Sequence, residues 1–143
     1  MTKCLEQYAA LPLMGSGDRI QVLLVTSRGT GRWIIPKGHP ERKMKPCEVA
    51  AMEAFEEAGV SGTVAKAPLG HYRSTKQLSS GKVLPCEVEV FRLDVTDHHP
   101  DWKEDHQRKR LWIPLAQASR FVNDGGLAAF LESLTLDMPV KGR

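Results

Sequence analysis

Apolar and polar positions alternate along this chain in short blocks, most of them with strand character. QYAALPLM (7–14) and IQVLLVTSR (20–28) are apolar or β-branched, and the turn signal GSGD lies between them, so the pair predicts a hairpin. RGTG (28–31) turns the chain into RWIIP (32–36), a short strand stopped by Pro36. From Lys37 to Lys45 the pattern is that of a polar loop. Pro46 suits the first turn of a helix and Gly59 the position just past its end, which predicts a helix over about 46–58. GTVAKAPLGHYRSTK and KVLPCEVEVFRLDV then alternate as an antiparallel pair joined through SSG (79–81). A loop follows over about 95–106, RLWIPL (110–115) is a strand, and LAQASRFV and GLAAFLESL supply one or two closing helices. Strands before and after a central helix, with a further helix at the end, predict an α/β fold with a mixed sheet between helices. No repeat, low-complexity tract or Pro/Gly-rich linker divides the chain, so residues 1–143 are expected to form one domain.

The helix is chemically unusual. In MEAFEEAGV (52–60), Glu53, Glu56 and Glu57 fall within a ~100° arc of one face. Ala51, Ala54, Phe55 and Ala58 lie on the other side, where mostly small residues let a helix approach a sheet closely. Like charges at these spacings cost roughly 0.2–0.5 kcal/mol a pair, and glutamates in a last turn cost about 0.3–1 kcal/mol more against the helix dipole. No lysine or arginine between Pro46 and Val60 offsets either cost. A divalent cation does, because Mg²⁺ takes a few carboxylates together with waters and phosphate oxygens. Upstream, Arg28, Arg32, Lys37, Arg42, Lys43 and Lys45 fall in one stretch diluted only by Glu41. A cationic loop beside a carboxylate cluster suits a phosphate-rich substrate with a metal between them.

Composition narrows the alternatives. An apolar fraction of 41% and a charged fraction of 26% are ordinary for a soluble globular protein. No apolar run approaches the ~18–20 residues of a membrane helix, and the first residues lack a signal-peptide layout, so a cytoplasmic location is expected. Three cysteines without a CxxC suggest neither a disulfide framework nor a zinc site. A net charge of +3 does not imply nucleic-acid binding. The expected partner is a small polyphosphorylated molecule, with no nucleic acid and no membrane.

Gly38, Glu53, Glu56, Glu57, Gly59 and Val60 stand at the spacing of the Nudix box, a glycine followed after fourteen residues by E-x-x-E-E-x-G-aliphatic. The preceding WIIPKG (33–38) also resembles the strand and loop that lead into that box. With VLLVTSR, GHYRSTK, DWKEDHQRKRLW and FLESL, the chain is most similar to the branch that includes diphosphoinositol polyphosphate phosphohydrolases and diadenosine polyphosphate hydrolases. The resemblance implies a Nudix-type α/β/α sandwich with a mixed β-sheet and a central catalytic helix. It also implies Mg²⁺- or Mn²⁺-dependent hydrolysis of a phosphoanhydride bond in a substrate of the diadenosine or diphosphoinositol polyphosphate type. A nucleoside triphosphate pyrophosphohydrolase, or a weakly active or inactive binding module of the same fold, are the alternatives.

Under this resemblance Glu53 and Glu57 are the principal metal ligands, Glu56 shares that role, and either Glu57 or a loop acid such as Glu104 is the general base. Arg28, Arg32, Lys37 beside Gly38, and Arg73 are expected at substrate phosphates. RKR (108–110) adds a second basic patch if its loop folds over the cleft. Tyr72, Trp33, Trp102 and Trp112 are the aromatics available for stacking on a base, and His39 lies in the box loop. Two box positions depart from the family: Met44 replaces a glutamate that supports the loop and metal site, and Met52 replaces an arginine that orients the carboxylates. These departures bear on catalytic strength and not on the fold; the two methionines are expected to pack on each other or on nearby loop residues.

Overall fold

The computed structural model describes residues 4–137. Strand β1 (Leu5–Met14) is buried on both faces: Ala9, Leu11 and Leu13 enter one core and Ala10 the other. That explains its nearly continuous apolar sequence, since a strand covered on both sides has no polar face to alternate with. One edge of β1 runs parallel to β7 (Val83–His98), from Leu5↔Cys86 to Leu13↔Asp94. Its other edge holds the two-residue strand β4 (Lys37–Gly38), with Tyr8↔Gly38 and Ala9↔Lys37 opposed.

The hairpin expected between β1 and β2 (Gln21–Thr26) is therefore confined to its turn, at Leu13↔Val22 and Met14↔Gln21. Beyond that, β2 pairs with β3 (Trp33–Ile34) and with β8 (Arg110–Pro114). The expected antiparallel pair after the helix is in fact three strands. β5 (Val60–Val64) and β6 (Gly70–Gln77) both pair antiparallel with β7, β6 along its first half and β5 along its second. Because Val60 opposes His98, β7 continues as a strand to His98, and the loop expected from about residue 95 begins at His99.

Two layers cover this mixed sheet. On one face, α1 (Pro46–Glu53) and the turn that follows it place Cys47, Ala50, Ala54 and Ala58 against Ala10, Leu23, Val25, Phe91 and Leu93. On the other, α2 (Gly125–Asp137) contributes Leu127, Phe130, Leu131 and Leu134 against Ala9, Leu11, Val88 and Val90. The expected α/β/α sandwich forms, with LAQASRFV supplying a 3₁₀ segment, Leu115–Arg120, ahead of α2. No helix of the described residues is long and apolar enough to cross a membrane.

Candidate active site

The acidic helix begins where its sequence predicts. Pro46 needs no partner for a missing N–H, and the Glu48 carboxylate accepts the Lys45 amide at 2.8 Å, which satisfies an open donor of the first turn. After Glu53 the helix widens into one π-type turn, Ala54–Ala58, and ends at Gly59 with φ 68°. Such turns recur at functional sites, and this one carries Glu56 and Glu57. The buried stripe runs through Cys47, Ala50, Ala54 and Ala58, and Ala51 is only partly covered. Phe55, expected on the packing side, is 47% exposed and meets the His99 ring edge-on at 5.3 Å. It lies about 100° round the axis from Ala54, and a helix seated on the sheet by alanines leaves no room there for a benzyl group. Met44 and Met52 are each half-buried.

The carbonyls at the end of this helix are satisfied from one place, the β7–β8 loop of residues 99–109 and the start of β8. Glu56 O accepts the Glu104 amide at 3.1 Å, and Gly59 O accepts the His99 amide at 2.8 Å. Glu57 O accepts Trp102 Nε1 at 3.0 Å, and Ala58 O accepts Arg110 Nη1 at 2.8 Å. The Arg110 guanidinium lies 3.8 Å above the Trp102 ring, so the two clasping side chains also hold each other. Cations absent from the helix arrive by the same loop: Lys103 Nζ is 3.5 Å from Glu56, and Arg108 Nη2 is 3.6 Å from Glu57. Charge at a helix C-terminus is offset here by tertiary contacts.

Glu57 is 5% exposed and accepts the Lys37 amide at 3.3 Å. Burial pushes its carboxyl up to about 8; Arg108 opposes that rise, and a hydrogen bond to Glu53 adds to it. Burial also raises Glu53, and the charges of Glu56, Glu104 and Glu41 add to the effect. Glu53 is folded against β4 so closely that a Cβ on Gly38 would stand 2.2 Å from its Oε2. Gly38 is thus needed for the approach of a side chain, where the sequence suggested the approach of a ligand.

The structure brings Glu53, Glu56, Glu57, Glu104, Gly38 and the Lys37 backbone together. The Lys37 side chain lies on the opposite face of the sheet, as the register requires: Lys37 opposes Ala9 of the α2-side core, whereas Gly38 opposes Tyr8. Burial lowers the Lys37 amine, with Asp124 and Lys76 among its charged neighbours and the Cys86 thiol beside it, and Lys76 donates to His39 Nε2 at 2.8 Å. Arg28 is joined to the same loop through Gln107 at 3.0 Å. Arg32 is exposed on the β2–β3 turn, and Arg73 is engaged with Glu87 at 3.2 Å across the β6–β7 pair. Of the aromatics, Tyr72 is buried against Phe130 with its hydroxyl raised by burial, Trp112 packs by His98, and Trp102 clasps the helix. The roles of Trp102, Arg108 and Arg110 as partners of the helix end went unread in the sequence; their one signal was a tryptophan and an RKR run flanking an acidic loop.

Among the described residues, no three His, Cys, Asp or Glu side chains converge into a ready-made metal cage. Mg²⁺ does not ask for one, being held by one or two carboxylates with waters and phosphate oxygens. Glu53 and Glu57 fit that requirement: both carboxyls are raised by burial on the same helical turn, and a cation beside them would offset that cost. Glu56 and Glu104 stand beside them as further oxygen donors.

Gly59 provides a structural test of the clasp. Its φ favours glycine, and a Cβ there would meet Arg110 Nη1 at 2.7 Å and Trp102 Cδ2 at 2.9 Å. Gly59→Ala is expected to cost about 1–3 kcal/mol, which thermal unfolding reads as about 2–4 °C of midpoint for each kcal/mol. An unchanged midpoint would contradict the clasp.

The chain belongs to the NUDIX domain family, whose model matches residues 7–134. It is 33% identical over 136 residues to diphosphoinositol polyphosphate phosphohydrolase 3-alpha of Mus musculus, a match that covers 92% of this chain and 79% of that protein. It is 35% identical over 104 residues to Nudix hydrolase 12, mitochondrial, of Arabidopsis thaliana, covering 71% of this chain and 51% of the relative. The chain spans about half to two thirds of the length of four such plant relatives. Among solved structures, a C. elegans Ap4A hydrolase binary complex is similar with a TM-score of 0.69 at 18% identity, over 94% of this chain and 97% of that one. A NUDIX hydrolase from Nitrosomonas europaea reaches a TM-score of 0.73 at 20% identity, over 94% and 90%. At these identities the structures speak for the fold alone.

Proposed function

We propose that the chain, as a single domain, is a Mg²⁺- or Mn²⁺-dependent hydrolase of phosphoanhydride bonds in small polyphosphorylated molecules. The observation that carries this reading is the acidic turn set against β4, with Glu53 seated on Gly38 and the buried Glu57 accepting the Lys37 amide. A divalent cation bound there would lower the pKa of a water and neutralise phosphate charge. Glu53 and Glu57, once deprotonated, would hold the cation, with Glu56 as the third donor. Glu104, anchored to the helix end by its amide, takes the proton of the attacking water. Most of what such chemistry needs is positioning and charge stabilisation.

The phosphate chain runs outward from the carboxylates on the α1 side of the sheet; the Lys37 ammonium, which lies near Lys76 on the opposite face, is not among its partners. Arg28, joined to the 99–109 loop, and the exposed Arg32 are its cationic partners, and Arg73 exchanges Glu87 for phosphate. This extended run of cations favours diadenosine or diphosphoinositol polyphosphates over nucleoside triphosphates. The related mouse protein carries a diphosphoinositol polyphosphate name, and the structural neighbour is an Ap4A hydrolase. We place the activity in the cytoplasm; the plant relatives named mitochondrial make cell fractionation the check on that point.

The test is product analysis by ion exchange with Mg²⁺ or Mn²⁺ and a panel of diadenosine tetra-, penta- and hexaphosphate, an inositol pyrophosphate and the nucleoside triphosphates. Metal-dependent turnover of the longer polyphosphates, abolished by EDTA, is expected. Faster turnover of nucleoside triphosphates would replace the substrate class. Tight binding of the panel without turnover would leave a binding module.

A further inference from the structure

Arg108 was expected as part of a basic patch facing substrate, and its surroundings do not suit that role. Its side chain is 8% exposed, and all three guanidinium nitrogens face oxygen. Nε donates to Glu104 Oε1 at 2.6 Å, Nη1 donates to the Thr26 carbonyl at 3.0 Å, and Nη2 lies 3.6 Å from Glu57 Oε2. Its own amide donates to the Glu104 carbonyl at 3.1 Å, while the Glu104 amide donates to Glu56 O at 3.1 Å. Glu104 is therefore tied at three points, its side chain and carbonyl to Arg108 and its amide to the catalytic helix. Thr26 ends β2, so the guanidinium also joins the loop to the sheet.

We propose that Arg108 is a positioning residue that braces Glu104 against the acidic turn of the helix and makes no contact with substrate phosphate. The planar fork suits this task, since one guanidinium can serve two carboxylates and a carbonyl in fixed directions, which an ammonium cannot. An incoming phosphate would have to displace buried, paired partners to reach it. With Met52 on the helix and no lysine or arginine between Pro46 and Val60, the cation that orders these acids comes from the loop. The inference rests on the proposed hydrolase reading for its kinetic consequence, but the brace itself is a property of the free protein.

The test is a double-mutant cycle of Arg108→Met and Glu104→Gln, with Arg108→Lys as the conservative variant. Each single change is expected to lower kcat about 10²-fold with KM within about twofold. The double variant should lose no more than the worse single one, because the two residues act as a unit. Arg108→Lys should recover only part of the rate; should Arg108→Met fail to fold, Arg108→Lys carries the same cycle. Amide hydrogen exchange on the metal-free, substrate-free protein gives the second reading: Glu104 and Arg108 amides should exchange at least tenfold faster in the Arg108 variants. That readout decides the brace even if no substrate in the panel is turned over. A KM raised tenfold or more at unchanged kcat would make Arg108 a substrate contact and overturn the proposal. So would fully additive losses, or unchanged protection of the Glu104 amide.

Discussion

Glu57→Gln is expected to lower kcat by about a thousandfold and to change how the metal-free protein responds to pH. The folded Glu57 carboxyl sits at about 8 against an ordinary 4.5. The folded state thus holds this proton more tightly than the unfolded chain does. Its contribution to stability is fully present below about pH 4.5 and is lost as the pH rises through about 8. In EDTA the thermal midpoint of the wild type should therefore fall across that window. The Gln variant should lack most of the fall, with Glu53 leaving a remainder. Mn²⁺ or Mg²⁺ should reverse the trend in the wild type, since a ligand that binds only the folded state stabilises it by mass action. That stabilisation should grow with pH, because the cation competes with the Glu57 proton. Thermal unfolding from pH 5 to 8.5, with EDTA and with Mn²⁺, tests all of this. An equal metal-induced shift in wild type and Glu57→Gln would remove Glu57 from the ligand set.

The same balance explains how the fold tolerates the cluster. Gathered glutamates at the end of a helix oppose both one another and the helix dipole. The protein answers with a Glu57 carboxyl held up by burial, with Arg108 and Lys103 beside the cluster, and with four hydrogen bonds to the terminal carbonyls from residues 99–110. These contacts hold the acidic turn in place without any cation on its own helix.

The helix was readable because its signals are local. Pro46, Gly59 and the glutamate spacing all lie within a few turns of one another, and each acts on its own neighbours. The Arg73–Glu87 pair was missed, since Arg73 was expected at substrate phosphates and the strand register that sets it opposite Glu87 was not read from the hairpin closing at 79–81. The parallel pairing of β1 with β7 was not readable, because an apolar strand buried on both faces does not specify which distant strand takes its edge. The clasp was hidden for a related reason. Trp102, Arg108 and Arg110 sit in or beside a polar loop without periodicity, and their partners are main-chain carbonyls, which leave no trace in the sequence. Lys37 and Gly38 show the limit within one dipeptide. Adjacent strand residues face opposite ways, so the glycine serves the carboxylates and the lysine side chain serves the other face.

Gly38→Ala should separate function from stability. A Cβ at this position would stand 2.2 Å from Glu53 Oε2 and 2.8 Å from its Cγ. Those atoms belong to a flexible side chain, and the backbone of β4 can carry alanine, so the fold escapes the clash by swinging Glu53 away. The thermal midpoint should stay within a few degrees of wild type. Metal affinity should fall by about 10–100-fold, as when a ligand loses its orientation, and kcat should fall with it by about 10²-fold. Gly59→Ala acts in the opposite sense, because there the backbone conformation and the Trp102–Arg110 clasp are strained while the carboxylates are untouched. The two box glycines thus report on different things. Titration of Mn²⁺ into Gly38→Ala, followed by its electron paramagnetic resonance, gives the affinity without any substrate. Wild-type affinity in that variant would mean that the seat of Glu53 above Gly38 is not where the cation is held.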